Sequence, residues 1–404
     1  MLTRLTLPQL RPGMHVHAPC GATSGCAHWP SAFTIDSPVA LQRLHDARID
    51  AVWVDVSRSD PSSLAAAPRR RECNECDLVH AVTGLRPSRA ASGSPSAFRH
   101  GLERARHAVH QARVAVAGLF REARDVDRID PARVRSIVEA LIAAVDRDPG
   151  AMLALVRIKR VEEYTTMHSV AVAALMLRLA DALGMDEADR TRAVTAGLLH
   201  DLGKVVVPPQ ILAKPGALDE AEWRWIRRHP DAGGDLLART AGIDPAVIDA
   251  CRRHHERVDG RGYPEGLSGE CLSLLARMTA VCDAYDAITS DRPYRVAAHP
   301  AQALRRMSTE HAGHFDDEVL RALVRTLGAY PDGSLVRLGS QRLAIVVAQH
   351  EVELRLPTVQ VIWSIHANAR IAPRNVELAE DGDTIVAEED AVEWGLPPLE
   401  TLLA

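Results

Sequence analysis

A chain of 404 residues is too long for one ordinary hydrophobic core, and its 47% hydrophobic content is enough for two or three domains. A formal charge of −5 excludes a general electrostatic attraction to duplex nucleic acid or to an anionic membrane surface, and no run approaches the roughly 18 apolar residues of a membrane span. Aromatic residues are only 4%, with Ala, Leu and Val carrying most of the apolar content, which favours a mainly α protein over aromatic-rich sandwiches.

The opening MLTRLTLPQL lacks the hydrophobic run of a secretory signal, so the expected compartment is the cytoplasm. Residues 1–57 read as a small α/β module: an extended opening through Val16, a strand at Phe33–Ile35, a helix near Val39–Leu44 and a strand beginning at Ala51. Residues 58–96 are rich in Ser, Pro, Arg and Ala and predict a flexible linker whose basic run is solvated. The CxxC formed there by Cys73 and Cys76 has no second pair, so it reads as a lone linker pair rather than a zinc or redox site. Seven scattered cysteines likewise argue against a disulfide framework.

Helical periodicity begins in residues 97–154. Phe98, Leu102, Ala105, Val109, Ala112, Val116 and Leu119 or Phe120 form one apolar stripe. Asp130-Pro131 supplies an N-cap and a first-turn proline for a second helix through Val145. Residues 155–331 form the domain that carries the chemistry. Beyond Pro331-Asp332-Gly333, RLAIVVA and VQVIWSI alternate with turn residues, so residues 332–404 predict a small β-rich region without a chemical motif.

Within the central domain, imidazoles and carboxylates recur at helix ends. His168 shares a face with Val172, Leu175 and Leu179, which points its ring into the bundle. His200 and Asp201 end the helix TRAVTAGLLHD, with Gly203 as the expected C′ residue. Asp219 and Glu222 stand in capping-box spacing at the start of a helix that delivers His229 and is stopped by Pro230. A helix from Asp244-Pro245 ends at His254-His255, and Asp283 lies on the small-residue face of Ala276, Thr279, Ala280 and Ala287. A lone histidine is more often a hydrogen-bonded core residue than a ligand. Five histidines with two aspartates and no neighbouring thiolates instead suit iron, manganese or a similar divalent ion. Two such ions about 3.5–4 Å apart activate a hydroxide and clamp a phosphate.

The HD pair followed by Lys204, the HHE of His254 to Glu256 and the DGRGYP of Asp259 to Pro264 resemble the HD-GYP family over about 150 residues. The N-terminal segment resembles the uncharacterised module often fused in front of that domain. The resemblance implies an HD-type helical bundle that hydrolyses cyclic di-GMP to linear pGpG, with a second cleavage on to GMP left open, using two divalent metals, Fe or Mn. It implies a metal shell of His168, His200, Asp201, His229, His254, His255 and Asp283, with Asp201 bridging. Lys204 is expected to reach a phosphoryl oxygen alongside Asp201 in catalysis, and Arg292 and Arg295 to pair or stack with substrate. The GYP loop, with Tyr263, is linked in the family to substrate recognition and to docking of diguanylate cyclase domains. Some members carry a glutamate one turn before the first histidine, where it helps hold a third metal. This chain has Tyr164, so two metals are expected, with Asp286 as a supporting or helix-surface carboxylate. A homodimer is compatible with the sequence. The competing readings are a catalytically weak cyclic di-GMP sensor or adaptor and a phosphohydrolase for another nucleotide.

Overall fold

The computed structural model describes residues 2–19, 33–37, 51–55, 95–156, 164–290 apart from 215, 297–350 apart from 310 and 312, and 353–397 apart from 392, with isolated positions at 40–41, 58–60, 63 and 402. It falls into two compact units. One comprises residues 1–77, 335–345 and 359–404, the other residues 78–334 and 346–358. Strands at both ends of the chain thus belong to the first unit, a grouping that no local pattern announces.

In the first unit, β1 (Leu2–Thr6) and β2 (His15–Pro19) both pair antiparallel with β4 (Ala51–Asp55), and β3 (Phe33–Thr34) pairs with β2. The pleat sends Leu5, Val16, Val52 and Val54 to one side, where they bury with Leu10, Met14 and Ile35. Ser59 and Ser63 belong to this packing: the His15 amide donates to Ser59 Oγ at 2.8 Å, and Asp60 N donates to Gly13 O. Of the helix expected near Val39–Leu44 only Ala40 and Leu41 are described, both helical, and Cys73 and Cys76 lie outside the described residues.

At the C-terminal end, β5 (Leu335–Leu338) pairs antiparallel with β6 (Arg342–Ala348) and β9 (Ile385–Glu388), while β7 (Thr358–Ser364) and β8 (Ala369–Glu377) extend the sheet in the order β8-β7-β6-β5-β9. The central run Leu343–Val347 is buried on both faces, so it reads as a continuous apolar stretch rather than an alternation.

The second unit is helical. Its elements are α1 (Pro95–Val126), α2 (Pro131–Arg147), α3 (Pro149–Val156), α4 (Tyr164–Ala182), α5 (Glu187–Leu199), a 3₁₀ turn at Leu202–Val206, α6 (Pro209–Leu212), α7 (Glu220–Ile226), α8 (His229–Ala238), α9 (Pro245–Arg253), α10 (Leu274–Ile288), α11 (Pro300–Thr309) and α12 (Asp317–Leu327). Starts are specified locally: Asp130, Asp186, Asp244, Ser273 and Asp316 each accept a first-turn N–H, and Asp219 with Glu222 completes a capping box. The expected stripe on α1 is buried at Leu102, Ala105, Val109, Ala112, Val116 and Leu119. Helix α4 is buried on every side from Met167 to Ala180, the signature of a central helix. Among the described residues no helix is long and apolar enough to cross a membrane.

Candidate metal centre

Five segments bring their imidazoles and carboxylates to one buried point. His168 comes from the first turns of α4, His200 and Asp201 from the end of α5, His229 from the start of α8, His254 and His255 from the end of α9, and Asp283 from α10. His168, His200, Asp201, His229 and His254 are each no more than 1% exposed.

Two local expectations are corrected. Gly203 is not a left-handed C′ residue; it sits inside the 3₁₀ turn, and glycine is required because a Cβ there would lie 1.9 Å from His229 O and 2.4 Å from Gly233 N. The turn carrying His200 and Asp201 therefore abuts the start of α8 backbone to backbone. Pro230 does not stop the preceding helix, which already ends at Ile226; it occupies the first turn of α8, where a missing N–H costs nothing, and His229 opens that helix.

The rings are oriented by their outer nitrogens. The Nδ1 atoms of His200, His229 and His254 donate to backbone carbonyls three residues earlier, Gly197 at 2.8 Å, Ile226 at 2.7 Å and Cys251 at 2.7 Å. His168 Nδ1 instead donates to Asp286 Oδ2 at 2.6 Å. All four Nε2 atoms are thereby left as inward lone pairs. His168 Nε2 lies 3.2 Å from His200 Nε2, and His229 Nε2 lies 3.1 Å from His254 Nε2. Lone pairs facing each other at that distance in a dry pocket repel unless a cation stands against them.

Asp201 lies between the two pairs. Its Oδ2 is 3.5 Å from His168 and 3.4 Å from His200, and its Oδ1 is 3.3 Å from His229 and 3.9 Å from His254. Asp283 spans likewise, with Oδ1 3.0 Å from His168 and Oδ2 3.7 Å from His255 Nδ1. Ligand-type atoms of His168, His200 and Asp283 lie within 4.8 Å of one another, and so do those of His229, His254 and His255.

The electrostatics agree with a cation acceptor. Burial pushes the His229 imidazole down to about 3 and His255 to about 4, and it holds His254 well below its usual value. His200 runs the other way: burial disfavours its charge, but Asp201 and Asp283 outweigh it, so that position favours positive charge. Burial also works against the charged Asp201 and Asp283, yet Lys204 and the histidines around Asp201, and His168 beside Asp283, hold both carboxyls well below the ordinary range. Cys251 and Cys282 are pushed up by burial, so no thiolate competes as a donor. This buried His/Asp cluster is consistent with a binuclear metal site of nitrogen and oxygen donors.

A family model described as "HD domain" matches residues 144–319, and one described as "Domain of unknown function (DUF3391)" matches residues 2–134. A cyclic di-GMP phosphodiesterase of Pseudomonas aeruginosa is 42% identical over 407 residues, covering 100% of this chain and 95% of that protein. The chain belongs to the HD-GYP family. Two further relatives match over part of the chain. A 3′3′-cGAMP-specific phosphodiesterase of Vibrio cholerae is 38% identical over 169 residues, 42% of this chain and 36% of that one. A cyclic di-GMP phosphodiesterase response regulator of Xanthomonas campestris pv. campestris is 40% identical over 149 residues, 36% of this chain and 39% of that one.

The remaining HD-GYP positions divide. Lys204 Nζ donates to Asp201 Oδ2 at 2.5 Å and is one-fifth exposed. Tyr263 stacks its ring 4.7 Å from that of His255. Arg292 and Arg295 lie outside the described residues, as does the side chain of Tyr164, whose backbone opens α4. Asp286 is 1% exposed rather than on a helix surface. Glu256, named in the sequence only as the last residue of HHE, has a structural role of its own. Its buried carboxylate accepts from the amides of Glu265 at 2.6 Å, Gly266 at 2.9 Å and Leu267 at 3.1 Å, pinning the chain just after Tyr263-Pro264. Its position directly after two histidines was the available signal. Gly262 completes the loop, since a Cβ there would lie 2.5 Å from Arg257 N and Glu256 Cα.

Proposed function

We propose that this chain is a metal-dependent phosphodiesterase that hydrolyses cyclic di-GMP to linear pGpG. The observation that carries the reading is the placement of Asp201, one carboxylate oxygen facing each pair of inward histidines, in a chain matched end to end by a cyclic di-GMP phosphodiesterase. In this reading His168, His200, Asp201 and Asp283 would hold one ion and His229, His254, His255 and Asp201 the other, each Fe or Mn. Bound there, two divalent ions supply Lewis-acid polarisation of a phosphodiester and lower the pKa of water to give a nucleophile near neutrality.

The chain's own groups do the rest. Asp201 and Asp283 neutralise cationic charge and fix the spacing of the two histidine sets. Lys204, paired with Asp201, is within reach of an incoming phosphoryl oxygen and stabilises charge that develops on it. Burial pushes the Tyr263 phenol well up, with Asp283 and Asp201 adding to it, so it stays a neutral wall and hydrogen-bond donor beside His255. Arg292 and Arg295 supply further guanidinium contacts to substrate in the same reading, and the loop bearing Tyr263 is the face offered to diguanylate cyclase domains.

Cyclic GMP-AMP is the competing substrate, because a relative specific for it matches 42% of this chain at 38% identity. The end-to-end relative favours cyclic di-GMP. The test is turnover of both dinucleotides by anaerobically metal-loaded full-length protein and by Asp201→Ala. We expect faster cleavage of cyclic di-GMP, and none by the variant despite unchanged helical circular dichroism. An active Asp201→Ala protein would remove the assignment.

A further inference from the structure

The end of α7 carries an arrangement that the metal centre does not use. Arg227 lies over the Trp223 ring and over the Tyr263 ring, 5.9 Å from each centroid. Tyr263 in turn stacks on His255 at 4.7 Å, and Arg227 precedes His229 by two residues. The next residue, Arg228, lies over Trp225 at 4.9 Å. Trp223 and Trp225 stay 43% and 39% exposed, which is unusual for the largest apolar side chain unless it meets something.

Arg227, like its neighbour Arg228, differs from the ion-paired arginines of the helical unit. Arg190, Arg192, Arg252, Arg253 and Arg277 of the helical unit all pair with carboxylates. Among the described residues no carboxylate pairs with Arg227; its contacts are the two aromatic rings. A guanidinium held over aromatic rings is pre-organised, and its N–H edge remains available for a planar acceptor such as a phosphate. A cyclic dinucleotide has two phosphates and two bases. With one phosphate among the histidines, the other half of the macrocycle must extend past the rim of the site, and Tyr263 and Arg227 lead outward from His255.

We propose that Arg227, seated over Trp223 and Tyr263, binds the non-scissile phosphate of the cyclic dinucleotide and so selects a two-phosphate substrate over a simple phosphodiester. This rests on the phosphodiesterase reading above. The arrangement gives Trp223 two tasks: it holds the guanidinium and offers exposed aromatic surface beside it for a base.

The experiment uses full-length protein loaded anaerobically with manganese, as wild type, Arg227→Ala and Arg227→Lys. Equilibrium dialysis measures affinity for a cyclic di-GMP analogue whose two phosphodiesters are phosphorothioates resistant to hydrolysis, and a chromogenic assay measures cleavage of bis(p-nitrophenyl) phosphate, which has one phosphate and no base. We expect Arg227→Ala to weaken dinucleotide affinity by about 10- to 100-fold, the range for a hydrogen bond to a charged group, and to leave bis(p-nitrophenyl) phosphate cleavage within about twofold. Arg227→Lys should recover only part, since an ammonium keeps the charge and loses the fork. Unchanged dinucleotide affinity in Arg227→Ala, or a parallel fall in both readouts, would overturn the proposal. A wild-type protein that cleaves neither substrate would count against the phosphodiesterase reading, while the affinity comparison still decides Arg227.

Discussion

Asp286 shows how much a site depends on a residue that is not among the expected ligands. Its carboxylate fixes the His168 tautomer at 2.6 Å, the role that backbone carbonyls play for the other three inward rings. Replacing it with alanine leaves His168 Nδ1 without that acceptor in a buried pocket. Asp286→Ala is expected to lower metal affinity by about 10- to 100-fold with helical content intact, measured by titrating manganese into the apoprotein. Unchanged affinity would show that packing alone orients His168. The histidines and aspartates were legible because donor residues recur in separated motifs that share one chemistry. The split of α10 into a fully buried Asp286 and a mostly buried Asp283 was not, because neighbouring faces of a helix rich in small residues look alike in sequence. Glu256 was hidden for a similar reason: its partners are backbone amides, which no side-chain pattern reports.

The elements are tied together near the site by caps that also cross between helices. Asp316 accepts from the amides of Glu318 and Val319 at the start of α12 and from Arg277 of α10, the helix that carries Asp283. Partial burial raises its pKa, but the Val319 amide, Arg277 and the Glu318 amide lower it more, so its folded value lies below the ordinary 3.8. A depressed folded pKa means a stabilisation that is complete above the unfolded value and lost as pH falls through the folded one. Asp316→Ala should therefore cost about 1 kcal/mol at pH 7, typical of a lost N-cap, and the difference from wild type should shrink once the pH drops below 3.8. Urea unfolding at pH 7 and pH 3 checks this, and a pH-independent difference would assign the effect to packing. Helix starts were readable from such caps. The ends were less so: Pro230 reads as a stop in sequence, yet it opens α8, because a proline suits the first turn of the next helix as well as the end of the last.

At the scale of the molecule, the two mismatched halves of the sequence problem have one cause. The helical unit was legible because its periodicity and its motifs are local. The grouping of the N-terminal strands and the C-terminal strands in the other unit joins segments hundreds of residues apart that form two separate sheets, and a grouping at that sequence separation leaves no short-range signature. The metal centre draws ligand-type residues from five segments of the helical unit, so ions that bind only the folded state must stabilise it as a whole. Chelation should lower its melting temperature, and Asp201→Ala should remove the difference between loaded and chelated protein. The most direct measurement is the product formed from cyclic di-GMP by anaerobically manganese-loaded full-length protein, with and without a chelator. The account predicts linear pGpG from the loaded protein and none after chelation. Intact cyclic di-GMP with the metal verified in place, or cleavage that survives chelation, would contradict it.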